Sequence, residues 1–90
     1  MLYVLTQAKT MSIPINDNMI VYMEEESIFG KSYDIIAKLN NVEYFLGTYI
    51  NRETALKIST NINRSRARQG NVWTEMPDIY EKVKKENGTD

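Results

Sequence analysis

Apolar residues recur along this chain with two different periods, and the change from one to the other falls at Asn51. Before it they alternate as in strands, and after it they recur as on one side of a helix. Leu2 to Leu5 is a short apolar run that fits a buried first strand, followed by a polar turn at Gln7 to Lys9. Met11, Ile13 and Ile15 alternate with Thr10, Ser12 and Pro14, which predicts a half-buried strand. Pro14 has no amide hydrogen to give to a ladder and places that strand at an edge or an end. Asn16-Asp17-Asn18 is a turn cluster, and Met19 to Met23 reads as a third strand, closed by Glu24-Glu25-Glu26 and a loop through Gly30.

The stretch from Lys31 onward predicts a β-hairpin whose register can be derived. With Asn40-Asn41 at the centre of a type I′ turn, Leu39 pairs with Val42, Lys38 with Glu43 and Ile36 with Phe45. One face then carries Tyr33, Ile35, Ala37, Leu39, Val42, Tyr44, Leu46, Thr48 and Ile50, and this is the predicted core face. The other carries Asp34, Ile36, Lys38, Glu43, Phe45, Gly47 and Tyr49. The opposite charges of Lys38 and Glu43 support the register, because like charges there would oppose it.

Asn51 is a good N-cap and Glu53 suits the positive end of a helix dipole. Ala55, Ile58 and Ile62 fall in one stripe with Leu56 on its flank, so this side should pack on the hairpin. Gly70 reads as the residue just past the helix end, with Arg66 and Arg68 in the last turn. Asn71 to Met76 predicts a final strand. Pro77 opens a possible short C-terminal helix with Ile79, Tyr80 and Val83 facing inward, and Lys84 to Asp90 reads as a flexible polar tail. The expected architecture is a single α+β domain over residues 1–90, a small antiparallel sheet of four to five strands packed on one long α-helix.

Composition narrows the chemistry. The chain has neither cysteine nor histidine, which removes disulfides, thiolate zinc sites, the commonest general base and the commonest transition-metal ligand. No enzyme, metal or cofactor is expected. The longest apolar run is too short to cross a bilayer and no signal-peptide pattern opens the chain, so a cytoplasmic location is the expectation. Net charge is −1, but it is unevenly placed. Asp17, Glu24, Glu25, Glu26, Asp34 and Glu43 outweigh Lys31 and Lys38 in the first half, whereas Arg52, Lys57, Arg64, Arg66 and Arg68 outweigh Glu53 along the helix.

Four features carry candidate chemistry. Gly30-Lys31-Ser32 ends like a phosphate loop, but Glu25 stands where the motif needs its first glycine, and a strand follows where it needs a helix. Glu24-Glu25-Glu26 is a set of carboxylates that point alternately on a strand, and so reads as a solvated loop. Arg64, Arg66, Arg68 and Lys57 form a basic cluster suited to an anion; helix-end electrostatics and solubility account for the same spacing. Arg66 alone continues the apolar stripe, where it must reach past the sheet, pair with an acid or meet a partner. Ile36, Phe45 and Tyr49 form an apolar stripe on the second hairpin face, either covered by the N-terminal strands or buried in a homo-oligomer.

The order Leu46-Gly47-Thr48-Tyr49, Glu53 and Ala55 at the helix start, and Met76-Pro77 at the end resembles a group of small proteins from phages and prophages of Gram-positive bacteria. The likeness spans most of residues 2 to 77. The chain departs from that pattern in its Arg-rich helix end, its shorter connection to the last strand and Thr74 in place of a tyrosine. The resemblance implies a phage protein and brings no catalytic residue. The function expected from these features is non-enzymatic: capture of an anionic nucleotide-type ligand by the basic helix of an oligomer, as in counter-defence. The alternative is a protein–protein inhibitor or regulator of a host defence factor. A nucleic-acid-binding regulator comes third, disfavoured by the weak net charge.

Overall fold

The computed structural model describes residues 1–27 and 30–78. The chain forms β1 (Leu2–Leu5), β2 (Ser12–Ile15), β3 (Ile20–Glu26), β4 (Ser32–Leu39), β5 (Val42–Tyr49), α1 (Arg52–Ser65) and β6 (Val72–Glu75). The α+β class is the one expected, but the six strands make two sheets of three, ordered β2-β1-β6 and β3-β4-β5. β1 lies antiparallel to β2 and parallel to β6. Parallel neighbours need a long crossover, which the rest of the chain supplies. The expected C-terminal helix with Ile79, Tyr80 and Val83, and the tail 84–90, fall outside the described residues.

One core joins both sheets and the helix. Leu2, Val4, Ile13 and Ile15 enter it from the first sheet, and Val21, Tyr33, Ile35, Ala37 and Leu46 from the second. Ala55, Ile58 and Ile62 supply the helix stripe expected from their spacing, while Leu56 on its flank is exposed. Asn51 caps α1 as expected, its Oδ1 accepting from the amides of Glu53 and Thr54 at 2.8 and 3.2 Å.

The hairpin keeps its derived register only near the turn. Lys38 pairs with Glu43 and Ile36 with Phe45, but Ile35 then pairs with Gly47, Asp34 with Thr48 and Tyr33 with Tyr49. Leu46 is an extra residue in β5, a β-bulge, and beyond it the faces of β5 are exchanged. Tyr49 therefore enters the core, 1% exposed, and Ile50 is left outside. Asn40 has φ 58°, but Asn41 does not share the positive φ that a type I′ turn requires at both central residues. Val42, expected inside, lies exposed at the hairpin tip.

The bulge has a visible cause in Gln7. Its backbone N–H donates to the Leu46 carbonyl at 2.8 Å. Its side chain then behaves like a strand residue: Oε1 accepts from Thr48 N at 3.0 Å, while Nε2 donates to Thr48 O at 2.8 Å and Pro77 O at 3.2 Å. Gly47 makes this approach possible, since a Cβ there would lie 3.0 Å from the Gln7 Cβ and 3.2 Å from the Tyr49 hydroxyl. That hydroxyl donates to Pro77 O at 2.7 Å. Gln7, expected to be part of a polar turn, is the clasp between the two sheets.

Two boundaries also differ from expectation. β3 continues through Glu24-Glu25-Glu26, which pair with Asp34, Tyr33 and Ser32 instead of forming a loop. The helix stops at Ser65 rather than running to Gly70, and Arg66 is its C-cap. The chain tightens there into bonds from Ala67 N to Arg64 O and from Arg68 N to Ser65 O. Gly70, at φ 78°, turns the chain into β6, and its carbonyl accepts from the Met1 ammonium at 2.6 Å.

Candidate functional site

The basic cluster is divided by the helix end. Arg66 is half-buried, and its Nη1 donates to the carbonyls of Met19 at 2.8 Å and Asn16 at 3.4 Å. None of the three expected outcomes describes it: the side chain neither pairs with an acid nor passes the sheet, but ties the helix end to backbone carbonyls of the β2–β3 turn. Lys57, Arg64 and Arg68 are exposed, with Arg68 beyond the last helical turn. Among the described residues none of these four cations has a carboxylate within ion-pair distance. Arg66 faces the β2–β3 turn, and neither the cleft beside Ile58 and Met76 nor the one beside Gln7 and Phe45 is lined by Lys57, Arg64 or Arg68.

The second apolar face of the hairpin exists with a different membership. Cross-strand pairing puts Tyr22, Ile36 and Phe45 in one row across β3, β4 and β5, with Ile20, Lys38 and Glu43 in the next. Tyr49, expected in this stripe, is removed by the bulge, and Tyr22 takes its place. No local pattern identifies Tyr22, because its position depends on how β3 registers on β4. Ile36 is 7% exposed beneath its neighbours, whereas Ile20 and Phe45 are 63% and 54% exposed. Tyr22 Oη donates to Glu43 Oε2 at 3.3 Å. Partial removal from water, then the Glu43 carboxylate, holds the Tyr22 phenol above its ordinary pKa.

The outer face of the first sheet carries a second aromatic group. Tyr3 pairs with Pro14 on one side and Trp73 on the other. The Tyr3 and Trp73 rings stack with centroids 4.2 Å apart and planes inclined by 16°. Trp73 is nevertheless 67% exposed. At the far end of this face Lys9 Nζ lies 2.7 Å from Glu75 Oε2 and 3.6 Å from Asp78 Oδ1. The bond to Glu75 foremost raises the Lys9 pKa.

Between the two sheets runs an open cleft lined by Thr6, Gln7, Thr10, Met11, Phe45 and Asp78, among others. Thr6 is 6% exposed and its Oγ1 has no hydrogen-bond partner among the described residues. Gly30-Lys31-Ser32 makes no phosphate loop, since Ser32 opens a strand and Lys31 Nζ sits 3.3 Å from Glu25 Oε2. Among the described residues no three acidic side chains gather in metal-binding geometry, and no helix is long and apolar enough to cross a membrane. No known protein family, curated protein sequence or solved structure matches the chain.

Proposed function

We propose that this chain is a non-enzymatic binding protein that engages another protein through the outer face of the β3-β4-β5 sheet. The observation that carries the reading is the row Tyr22, Ile36, Phe45 with Ile20 beside it, an apolar surface with a polar margin of Lys38 and Glu43. Isolated apolar side chains on a surface need no explanation, but a contiguous row across three strands is the composition of an interface centre. The phage resemblance points to a host defence factor as the partner class. Immobilised wild-type protein and a Phe45→Glu variant, passed in parallel over a lysate of the bacterial host, should differ in one stable partner. Equal recovery by both, or none by either, refutes the reading.

A second reading is favoured by the exposed cations Lys57, Arg64 and Arg68, which have no carboxylate partners among the described residues. They would capture a nucleotide-type anion, with Arg66 holding the helix end in place. Calorimetric titration with cyclic and linear nucleotides tests this, and absence of heat from the folded protein refutes it.

A further inference from the structure

Two three-stranded sheets have four outer strands, and an uncovered strand edge is a template for pairing with another chain. Three of the four edges are blunted. β2 carries Pro14, which cannot donate to a new ladder. β3 is approached by helix side chains at one end, where Asn63 Nδ2 lies 3.5 Å from Val21 O and Arg66 bonds Met19 O, and ends in three glutamates at the other. β5 is occupied by Gln7 at Leu46 and Thr48. β6 has none of these protections among the described residues.

The direction of its free backbone groups follows from the ladder. Val72 N and Met76 N donate to Met1 O and Leu5 O, so the even-numbered residues face β1. The amides and carbonyls of Trp73 and Glu75 therefore point away from the sheet. On the outer face the same edge presents the exposed indole of Trp73, one side of which rests on Tyr3.

We infer that β6 is a homodimer edge, on which a second copy of this chain adds its own β6 antiparallel about a two-fold axis at Trp73. This surface differs from the one in the proposed function and does not depend on it. The edge is self-complementary. With Trp73 opposite the partner's Trp73, the two residues exchange backbone hydrogen bonds, and the indoles extend the Tyr3–Trp73 stack across the axis. Glu75 then stands opposite Asn71, two residues to the other side of the axis, so no like charges face each other and an amide can donate to a carboxylate. The result is a continuous six-stranded sheet of order β2-β1-β6 followed by its symmetry mate. A polyanion fits this edge less well, because Glu75 and Asp78 lie beside it with Lys9 as their cation.

The test is solution mass by light scattering on the full chain, over micromolar to millimolar concentration, with tryptophan emission recorded on the same samples. The chain has one tryptophan, so emission reports this position alone. The mass should rise from 10.5 kDa toward twice that value, with a parallel blue shift as the indole leaves water. Trp73→Glu should remain monomeric with an unchanged far-ultraviolet spectrum, and Phe45→Glu should dimerise normally. Asn71→Lys and Asn71→Asp test the register: the first should tighten the dimer and the second weaken it, each several-fold, and salt should shrink both effects. A wild type that stays monomeric overturns the inference. So does a dimer that survives Trp73→Glu, or one that forms without an emission shift, or equal affinities for the two Asn71 variants.

Discussion

Replacing Gln7 with methionine removes the clasp between the sheets while keeping the length of the side chain. Three hydrogen bonds are lost: one from Thr48 N and two to the carbonyls of Thr48 and Pro77. A protein hydrogen bond contributes about 0.5–1.5 kcal/mol net, and all three here are part-buried, so water replaces some of them in the variant. The expected loss is therefore about 2–3 kcal/mol. For a domain of this size each kcal/mol lowers the midpoint of thermal unfolding by about 4–8 °C, so the transition should fall by roughly 10–20 °C. Urea and thermal unfolding followed by circular dichroism measure both quantities.

Gln7→Glu separates hydrogen bonding from packing. The carboxylate keeps an acceptor for Thr48 N but turns an oxygen toward the carbonyls of Thr48 and Pro77, which raises its folded pKa above the unfolded value. A raised folded pKa means stability that is present at low pH and lost as pH rises. This variant should be at least as unstable as Gln7→Met at neutral pH and should recover relative to wild type on acidification into the glutamate range. If Gln7→Met lies within about 0.5 kcal/mol of wild type, the side-chain bonds of Gln7 are not what joins the sheets.

Thr6→Val tests the buried hydroxyl whose Oγ1 has no partner among the described residues. Exchanging it for a methyl of the same shape should leave stability unchanged or raise it by about 1 kcal/mol, and a clear loss in urea unfolding would show that the hydroxyl is bonded in solution. Alkaline stability should respond to Lys9 and Tyr22, whose pKa values are both raised in the fold. Both contributions are complete below the ordinary values of 10.5 and 10.0 and disappear as pH climbs through the raised ones. Unfolding midpoints measured between about pH 9 and 11.5 should fall less steeply in a Lys9→Met, Tyr22→Phe double variant, and superimposable profiles would refute the assignment.

What could be read from residues alone was whatever rests on local period. The stripe Ala55, Ile58, Ile62 and the cap at Asn51 lie where their spacing puts them, and the hairpin turns at Asn40-Asn41. Errors begin where a distant segment intervenes. The alternation through Leu46 to Ile50 is consistent with an unbroken strand, and only Gln7, far away in the chain, turns the Leu46 carbonyl aside and moves Tyr49 to the core. β1 and β6 were each recognisable as strands, but no local signal says that they are parallel neighbours. Arg66 was legible as an anomaly because it fell on the apolar stripe. Its partners, two backbone carbonyls of a turn, have no side-chain signature for a sequence to show.

The short motif behind the phage resemblance acquires a physical content from the same geometry. Leu46 supplies the carbonyl that receives Gln7, and Gly47 the space for it. Tyr49 supplies the hydroxyl that holds Pro77, and Met76 buries its side chain beside them. The segment Leu46 to Tyr49 and the pair Met76-Pro77 are distant in sequence and meet at one junction between the sheets. The two surfaces proposed for binding, one around Phe45 and one around Trp73, lie on different sheets and are related only through this junction and the core beneath it. A variant that loosens Gln7 should therefore disturb both surfaces together, whereas Phe45→Glu and Trp73→Glu should each disturb one.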